Sequence, residues 1–580
     1  MNDAPHTYVR PTFTDTEQSR TTTLSSSGTA TIRPRTATGT AGTMSAAAAL
    51  VDSLVTSPWG QVSPSVYETG RVVSLAPWLT GHERRIAFLV DAQRSDGGWG
   101  LPDERYELVP TLSATEALLS VLVRSERADA ADPADPVTAA AVRGLRRLRA
   151  LLTGPTWASA SGTASLPDMP AIELIVPSLV ELINRHAADL AARPSGPLPE
   201  DGEPPELPLP ATMDGAKLAL VREVLRSGAH PPKKLMHALE VGGPAARGFA
   251  PAAPESTGAI GASPAATAAW LGDRPPADPS TPARWYLETV TAMHDGLVPV
   301  AYPITVFERG WVLSWLIRAG ISVRVPPEVV LSLTAPLRPE GTETAAGLPA
   351  DADTTAVTLY TLALLGAPHR PDSLRNFETP THFCTWQGED GYSTTTNAHV
   401  LEAFGEFVAS GAARVGTGDT RRYEAAAAKA AGWLLEQQGD DGAWTDRWHA
   451  SPYYATACCA LALERYGGRG GGTEAAERAR AWVLETQRPD GSWGRWEGTA
   501  EETAYAVQTL LLTGGPPDPD ALRAAGRAHD VLVRGLLLPD RDHPPLWHDK
   551  DLYHPRAIVR AAVLAALHLI ETTGAAESGR

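Results

Sequence analysis

Apolar residues recur along most of the chain every three or four positions, the spacing that gathers them on one face of an α-helix. Runs of alternating β-branched residues, which would indicate half-buried strands, are nearly absent. The pattern therefore predicts an all-α protein. The segments that show it best are AAVRGLRRLRALL (140–152), MPAIELIVPSLVELINRHAADLAA (169–192), KLALVREVLRSG (217–228) and RAIVRAAVLAALHLIETT (556–573).

A short motif, Q-x-x-x-G-x-W, follows the ends of several predicted helices. It occurs at 93–99, 438–444 and 487–493, and a weaker copy, QGEDGY, occupies 387–392. The last three copies are 51 and 49 residues apart, a period that fits two helices per unit. Such units, when closed on themselves, form a barrel of paired helices. One copy lies in the first half and three lie in the last third, so the sequence predicts two α/α barrels that these motifs help to hold together.

The length and the N-terminal segment of the chain add to this picture. A chain of 580 residues is too long for one ordinary core, which agrees with two domains. Residues 1–44 are rich in Thr, Ser and Gly and poor in large apolar residues, so we expect a disordered tail. Met44 opens the first alanine-rich apolar run, which leaves open whether translation starts at Met1 or at Met44.

Composition argues against several classes of function. A net charge of −17 does not suit a protein that binds nucleic acid or an anionic membrane, because phosphate groups attract the opposite sign. The three cysteines form neither a disulfide framework nor a convincing zinc pattern. The sequence has no uninterrupted run of about 18 apolar residues, the length that a bilayer-spanning helix needs. Its first ten residues lack the features of a signal peptide. We therefore expect a cytosolic protein.

The strongest candidate for chemistry is DADTT (351–355), which opens an apolar helix with two carboxylates. An isolated D-x-D is most often a helix cap, and D-x-D-x-T also marks phosphatases of the haloacid dehalogenase type. Those phosphatases need a buried strand before the motif, whereas ETAAGLPA precedes it here, so we reject that interpretation. The sequence also contains no P-loop, no G-x-S-x-G elbow and no DDxxD- or NSE-type cluster for ionising a diphosphate.

Eight further segments, taken in order, resemble the class II terpene cyclases, in particular the bacterial cyclases of linear isoprenoid diphosphates. The resemblance runs over nearly the whole chain from about residue 55, and so many ordered matches make it specific. The segments are SPWGQVSPSVYETGRVVSL (57–75), PDMPAIELIVPSLVE (167–181), KLMHALE (234–240), IGASPAATAAWL (260–271), LVPVAYPITVFERGWVLSWLIRAGI (297–321), TTTNAHVLEAF (394–404), DRWHASPYYATA (446–457) and WHDKDLYHPRAIV (547–559).

The resemblance implies two α/α barrel domains, called β and γ in this family, with the reaction cavity between them. It places the β domain at 45–79 plus 296–580 and the γ domain at 80–295. It also implies an isomerase of the intramolecular lyase type, which protonates a double bond, closes rings and retains the diphosphate.

By the same resemblance, Asp353 is the general acid, Asp351 orients it and Asn397 fixes its geometry. Burial keeps the proton on such an acid, while a helix N-terminus makes the proton readier to leave. Thr354 stands where the family more often has another Asp. Because D-x-D-T-T looks more like the bacterial drimenyl diphosphate synthases, we expect conversion of farnesyl diphosphate to drimenyl diphosphate. The alternative is conversion of geranylgeranyl diphosphate to a copalyl-type (labdadienyl) diphosphate.

Tryptophan is unusually abundant, with 16 Trp against 8 Phe. Indole and phenol faces stabilise a carbocation without quenching it, by about 2 kcal/mol or more each when desolvated. Most of the Trp residues should nevertheless pack the barrels, and we expect only one or two of the candidates to line the cavity. The candidates are Trp311, Trp315, Trp386, Trp448 and Tyr505.

Binding of the diphosphate needs a local cation. Lys550 is one of only five lysines and lies in the terminal matching segment, so it is the candidate, with an ordinary surface lysine as an equal alternative. The resemblance also implies one Mg²⁺, which prefers carboxylate and substrate oxygens. Only Asp168 and Glu173 stand near the position of the family's acidic stretch, and Glu173 is the candidate ligand.

Two other interpretations stay open. A triterpene cyclase of the same fold would act on neutral polyenes and would carry more of the Gln–Trp repeats. A helical-barrel module that binds a prenyl group without cyclase chemistry would tolerate Asp353→Asn. The expected partner is the small isoprenoid diphosphate, with no nucleic acid and no integral membrane segment, and the sequence leaves open whether the protein is a monomer or a homodimer.

Overall fold

The computed structural model describes residues 40–124, 135–158, 166–193, 206–412, 419–468, 471–539 and 542–574. The predicted disordered tail, 1–44, lies outside these residues except for its last five. Those five are helical, because the first helix begins at Thr40.

Within the described residues the regular structure is almost entirely helical, which confirms the predicted all-α class. The strands are four two-residue segments in two antiparallel pairs: β1 (Thr342–Glu343) with β2 (Ala350–Asp351), and β3 (Trp547–His548) with β4 (Leu552–Tyr553). Two 3₁₀ segments span Lys233–Ala246 and Pro371–Phe377. The helices are α1 (Thr40–Thr56), α2 (Val66–Leu75), α3 (His82–Asp91), α4 (Glu104–Arg124), α5 (Pro136–Thr153), α6 (Pro155–Ala158), α7 (Ile172–Ala191), α8 (Ala216–Ser227), α9 (Pro264–Leu271), α10 (Pro282–Met293), α11 (Thr305–Arg318), α12 (Pro327–Thr334), α13 (Ala352–Leu364), α14 (Thr394–Ala409), α15 (Asp419–Glu436), α16 (Pro452–Tyr466), α17 (Gly472–Glu485), α18 (Ala500–Leu512), α19 (Pro519–Leu537) and α20 (Arg556–Thr573).

The second half of the chain forms a closed ring of inner helices. Each inner helix contacts the next one in the ring, and the last returns to the first, in the order α11, α13, α14, α16, α18 and α20. Helices α1, α12, α15, α17 and α19, together with the second 3₁₀ segment, pack around the outside. Long runs of fully buried residues in the inner helices agree with their position, since they are covered on all sides.

A second, smaller ring is built mainly from the first half of the chain. Helices α2, α4 and α7, the first 3₁₀ segment and α9 contact one another in that order, and α9 returns to α2. Helices α3, α5, α8 and α10 pack against its outer side. Together the two rings give the double α/α barrel that the sequence predicts.

The division into a β and a γ domain stays a prediction at its boundaries. Helix α2 lies inside the predicted β range 45–79, yet it contacts α4 and α9 of the smaller ring. Conversely, buried side chains of α9 and α10, such as Ala268 and Tyr286, belong to the hydrophobic core of the larger ring. The two cores therefore interlock at α2, α9 and α10 rather than meeting at one point of the sequence.

Helix α4 is the one described helix that is long and apolar enough to cross a membrane. Eighty-nine per cent of its most apolar window is buried inside the protein, where it contacts α2, α5 and α7. Its length and composition are thus explained by its place at the centre of the smaller ring. The predicted cytosolic location and oligomeric state stay predictions.

The three full Q-x-x-x-G-x-W motifs tie outer helices together in the same way. In each, the Gln amide donates to the carbonyl of the motif's own Gly and to a carbonyl near the start of the next outer helix. The Trp indole N–H donates back to the last turn of the preceding helix, at 2.7–2.9 Å. The two acceptors of each Gln are Gly97 and Ala140, Gly442 and Ala475, and Gly491 and Ala524, at 2.8–3.0 Å.

Candidate active site

A cavity of about 460 Å³ lies between the two rings, a volume typical of small-molecule sites. On the side of the smaller ring its wall is formed by residues of 168–174, at the start of α7, and of 232–238. On the side of the larger ring it is formed by the N-terminal ends of α11 and α13 and by the loops around 385–390, 447–454 and 547–553. The weak copy of the repeat, at 387–392, therefore contributes to this wall and does not form the bonds of the three full copies.

Asp351 is the N-cap of α13 and is buried. Its Oδ1 accepts the backbone N–H of Thr354 at 2.6 Å, and its Oδ2 accepts the Thr344 hydroxyl at 2.8 Å. The Thr354 hydroxyl lies 2.7 Å from that of Thr344, so it completes the same small network. Burial raises the pKa of Asp351 to about 7, and the neighbouring Asp353 adds to the shift. This carboxyl fixes the start of the helix.

Asp353 is the second residue of α13, within its first turn, and faces the cavity. Its side chain keeps 15% of its surface accessible, and Oδ1 lies 2.7 Å from Nδ1 of His399 on α14. Burial alone would lower the pKa of His399, but the Asp353 carboxylate holds it well above its ordinary value. The N-terminus of α13 lies close enough to stabilise the carboxylate that remains after a proton has left Asp353. The group is therefore held at one oxygen and open to the cavity, as a proton donor requires.

Asn397 does not hold the acid, which corrects the prediction. Its amide is buried, where it accepts the backbone N–H of Phe383 and donates to the carbonyls of Phe383 and Ser393, each at 2.9 Å. The side chain therefore ties the loop before α14 to that helix. Two residues further along the helix, His399 projects toward Asp353. In the sequence TNAH both side chains were available, and only the rotation of α14 decides between them.

Two of the five predicted aromatic residues line the cavity. They are Trp386 and Trp448, whose rings meet edge to face at 5.1 Å. Trp311, Trp315 and Tyr505 are buried and do not line it. Trp311 instead packs edge to face on His399 at 5.4 Å and donates to the Tyr454 hydroxyl at 2.8 Å, so it supports the wall from behind. An inner helix turns only part of its surface toward the cavity. The spacing of residues in the sequence did not show which aromatic side chains lie on that part.

Four aromatic residues that sequence reasoning missed line the cavity together with Asp353. They are Phe307, Tyr454, Trp547 and Tyr553. The Trp547 ring lies 4.7 Å from Tyr454 and 5.6 Å from Phe307. All four lie in segments that resemble the family, so the signal was present, but nothing in the residue pattern said which aromatic side chains face inward.

Lys550 does not face the cavity, which corrects its predicted role. The side chain is fully buried, and its ammonium lies 2.5 Å from Glu68 Oε1 and 2.9 Å from Glu240 Oε1, with further bonds to the His237 carbonyl and the Ser263 hydroxyl at 2.8 Å. Burial opposes the charge, but Glu240 and Glu68 raise the pKa of Lys550. Four acceptors exhaust an ammonium with three N–H groups, so no donor is left for a diphosphate.

Two other cationic side chains line the cavity. Lys234 is exposed at its edge, and no described residue forms an ion pair with it. Arg447 is largely buried, pairs with Asp168 at 2.7 Å and Glu389 at 3.0 Å, and has an Nε without a partner among the described residues. These two cations replace Lys550 as candidates for the diphosphate.

Glu173, the predicted metal ligand, lies on the cavity wall in the first turn of α7. The described residues contain no group of three His, Cys, Asp or Glu side chains that could hold a metal by themselves. A Mg²⁺ bound to substrate phosphates needs only one or two protein carboxylates. Glu173 fits that requirement, whereas Asp168 is already paired with Arg447.

Comparison with known proteins agrees with this geometry. The profile of the squalene-hopene cyclase C-terminal domain matches residues 394–525. An ent-copalyl diphosphate synthase of Streptomyces sp. (strain KO-3988) is 42% identical, over 92% of this chain and 97% of its own. A copalyl diphosphate synthase of Streptomyces cyslabdanicus is 41% identical, over 90% of this chain and 94% of its own. The solved structure of ent-copalyl diphosphate synthase from Streptomyces platensis superposes with a TM-score of 0.81 at 45% identity, over 91% of this chain and 99% of that chain.

Proposed function

Because the chain belongs to the bacterial class II terpene cyclases, enzymes that cyclise isoprenoid diphosphates, we propose that it converts geranylgeranyl diphosphate to a bicyclic copalyl-type diphosphate. The chemistry is argued from the Asp353 carboxyl. His399 holds one of its oxygens, and the other oxygen is free to face the cavity. The proposed length of the substrate, twenty carbons, rests on the relatives, which are named as copalyl diphosphate synthases. They favour the twenty-carbon alternative over the drimenyl product expected from Thr354.

The reaction begins with transfer of the Asp353 proton to the terminal double bond of the substrate. The carboxyl O–H bond breaks, a C–H bond forms, and a tertiary carbocation results. While Asp353 is protonated on Oδ2, its Oδ1 only accepts, so the His399 Nδ1–H donates to it. As the proton leaves, that N–H and the N-terminus of α13 stabilise the carboxylate, and no reorganisation is needed.

The carbocation then reacts with the next double bonds of the chain, which closes two rings. Loss of one proton from the final carbocation breaks a C–H bond and forms a C=C bond, so the carbon skeleton is uncharged again and the product, with its diphosphate retained, has the atoms of the substrate. Phe307, Tyr454, Trp547 and Tyr553 offer ring faces to the cation and carry no exposed nucleophile stronger than a phenol. Burial raises the pKa of Tyr454 and of Tyr553 well above the ordinary value, so both phenols stay neutral.

The diphosphate is placed at the edge of the cavity with Lys234 and Arg447. Arg447 suits a fixed position because its guanidinium also lies 5.3 Å from the Trp448 ring and is held by two carboxylates. Glu173 would hold a Mg²⁺ at the same edge. When bound, the ion neutralises the charge of the diphosphate.

Product analysis tests the substrate. The purified protein is incubated with Mg²⁺ and either geranylgeranyl or farnesyl diphosphate, the products are dephosphorylated, and the alcohols are identified by mass spectrometry. We expect a bicyclic twenty-carbon alcohol and a kcat/KM at least about tenfold higher for geranylgeranyl diphosphate. Its additional isoprene unit makes apolar contacts with the cavity that farnesyl diphosphate lacks. A preference for farnesyl diphosphate would return the drimenyl interpretation.

Removal of the acid tests the chemistry. Asp353→Asn keeps the volume of the side chain and removes the proton, so kcat should fall by more than about a thousandfold. The midpoint of thermal unfolding should stay within a few degrees of the wild type. Asp390→Asn, at an exposed acid on the same cavity wall, is the matched control and should retain activity. Normal turnover by Asp353→Asn would show that another group supplies the proton and would contradict the assignment.

A further inference from the structure

Trp547, which lines the cavity, is bonded from behind to a buried carboxylate. Its indole Nε1–H donates to Oε1 of Glu501 on α18 at 2.7 Å. The Glu501 side chain is 4% exposed and does not line the cavity. The indole ring therefore stands between this carboxylate and the space in which the carbocation forms.

The donors around Glu501 require it to accept. The Nδ1 of His449 accepts the backbone N–H of Ser451 at 3.0 Å, so a neutral His449 carries its proton on Nε2, which lies 3.1 Å from the same Glu501 oxygen. The Tyr505 hydroxyl donates to it at 3.2 Å. Burial favours the neutral acid, but the hydrogen bond from His449 and that from Trp547 lower the pKa of Glu501.

The carboxylate of Glu501 is balanced by histidines and not by a lysine or an arginine, since interactions with His449 and His554 help to lower its pKa. Among the described residues no Lys or Arg forms an ion pair with Glu501. Of the side chains that donate a hydrogen bond to it, only His449 can carry a positive charge. An isolated buried carboxylate is costly for the fold, because its hydration is lost. Natural proteins keep such groups mostly where function uses them.

The physical effect of this arrangement is on the ring. A carboxylate that accepts the indole N–H pushes electron density into the ring and makes the potential at its face more negative. That face attracts cations through its quadrupole, and the low dielectric of the interior strengthens the attraction. Because the ring shields the anion, the carboxylate cannot combine with the cation or take a proton from it.

We propose that Glu501 is a positioning residue that acts through Trp547: its negative charge strengthens the binding of the carbocation at the indole face of the cavity. This inference rests on the proposed cyclase function and adds a residue to it. It assigns Glu501 a part in the reaction although Glu501 does not touch the substrate. Tyr505, predicted as a cavity aromatic, then has a different part, as one of the donors that hold Glu501.

The first test is Glu501→Gln, which keeps the acceptor for the indole N–H and removes the charge. We expect kcat to fall about tenfold with little change in KM, because only the charged intermediate is affected. The fraction of monocyclic or uncyclised alcohols should rise, since a less stable cation loses its proton earlier.

Glu502→Gln is the matched control. Glu502 is the next residue on the same helix and is equally buried, but it binds the backbone N–H of Arg495 and the hydroxyl of Thr499 instead of a cavity residue. Its substitution should change kcat less than about twofold. Equal losses of kcat in both variants would show a general effect of the helix and would overturn the proposal.

Binding of two inert analogues separates charge from shape. One is a geranylgeranyl diphosphate analogue with a tertiary ammonium in place of the cationic carbon, and the other is its neutral carbon counterpart. Glu501→Gln should weaken the ammonium analogue about tenfold and the neutral one less than twofold, measured by calorimetry. Equal weakening of both would overturn the proposal. This measurement needs no turnover, so it stays informative if the wild type converts neither diphosphate, an outcome that would refute the proposed function alone.

Trp547→Phe keeps an aromatic ring and removes the N–H that links it to Glu501. It should reproduce the selective loss of the ammonium analogue, and Glu501→Gln should add less than about twofold in this background. If the Glu501→Gln protein does not fold, the Trp547→Phe protein alone decides, because selective loss of the cation is still required of it. Fully additive effects of the two substitutions would show that Glu501 does not act through the indole.

Discussion

At the scale of single residues, two carboxyls two positions apart have opposite surroundings. Asp351 is buried at the N-cap of α13 and accepts the backbone N–H of Thr354, whereas Asp353 faces the cavity and is held by His399. The direction in which each side chain leaves the first turn of the helix decides this difference. It suits Asp353 to the proposed role of proton donor and leaves Asp351 to support the start of the helix.

The raised pKa of Asp351 leads to a stability prediction. Its value of about 7 in the folded protein exceeds the ordinary value near 4, so the unfolded chain releases this proton at lower pH than the folded one. Asp351 should therefore reduce the free energy of unfolding as pH rises from about 4 to about 7, by up to roughly 4 kcal/mol. Asp351→Asn keeps a good N-cap and removes this loss.

We expect Asp351→Asn to raise the midpoint of thermal unfolding relative to the wild type more at pH 8 than at pH 5. Unfolding followed by circular dichroism at the two pH values measures it. Asp390→Asn, at a site exposed to water, should show no such difference. A gain that is the same at both pH values would mean that Asp351 is ionised in the folded protein.

At the scale of elements, the full Q-x-x-x-G-x-W motifs need a glycine in the left-handed region. Gly491 has a φ of +86°, and a Cβ there would lie 2.5 Å from the carbonyl oxygen of Arg527. Both the backbone strain and the contact with a neighbouring helix are therefore unavoidable for any other residue. This is why the same glycine recurs in each motif, independent of any chemistry.

Gly491→Ala should lower the free energy of unfolding by at least about 2 kcal/mol, because left-handed backbone and a contact with main chain are both unfavourable. Gly432, inside helix α15, is the matched control, since a Cβ there meets nothing within 4 Å. Gly432→Ala should instead stabilise by about 0.5–1 kcal/mol. Thermal unfolding of the two variants measures the contrast, and equal behaviour would contradict the role given to the motif.

At the scale of the whole molecule, Lys550 joins the two rings. It brings together Glu68 on α2, Glu240 in the first 3₁₀ segment and the loop after β3. Removing the ammonium would leave two carboxylates buried beside each other, and such losses of one partner cost about 3–5 kcal/mol. Lys550, which the sequence suggested as the cation that binds the diphosphate, thus stabilises the contact between the two rings.

Lys550→Met should lower the midpoint of thermal unfolding by many degrees or prevent folding. Lys234→Met should leave this midpoint nearly unchanged and raise KM several-fold. The reason is that an exposed charge at the cavity edge contributes to substrate binding and not to the fold. Thermal unfolding and steady-state kinetics on both variants measure this. A stable Lys550→Met protein with a raised KM would restore the predicted diphosphate role.

The amino-acid sequence by itself determined the helical class, the two rings, the family and the position of the acid motif. Helical periodicity reports on local geometry, which depends on neighbouring residues. The 50-residue repeat and the matching segments are visible because each copy is a continuous stretch of the sequence, although its bonds reach a later helix. The same reasoning picked out Trp386 and Trp448 on the cavity wall, together with three aromatic residues that lie behind it.

Tertiary structure alone decided which side chains meet. His399 rather than Asn397 reaches Asp353, Lys550 turns into the contact between the rings, and Trp547 joins Glu501 from a distant helix. Each of these pairings depends on the rotation of one helix or loop against another. A rotation of that kind is fixed by the packing of the complete core and leaves no periodic trace in the sequence.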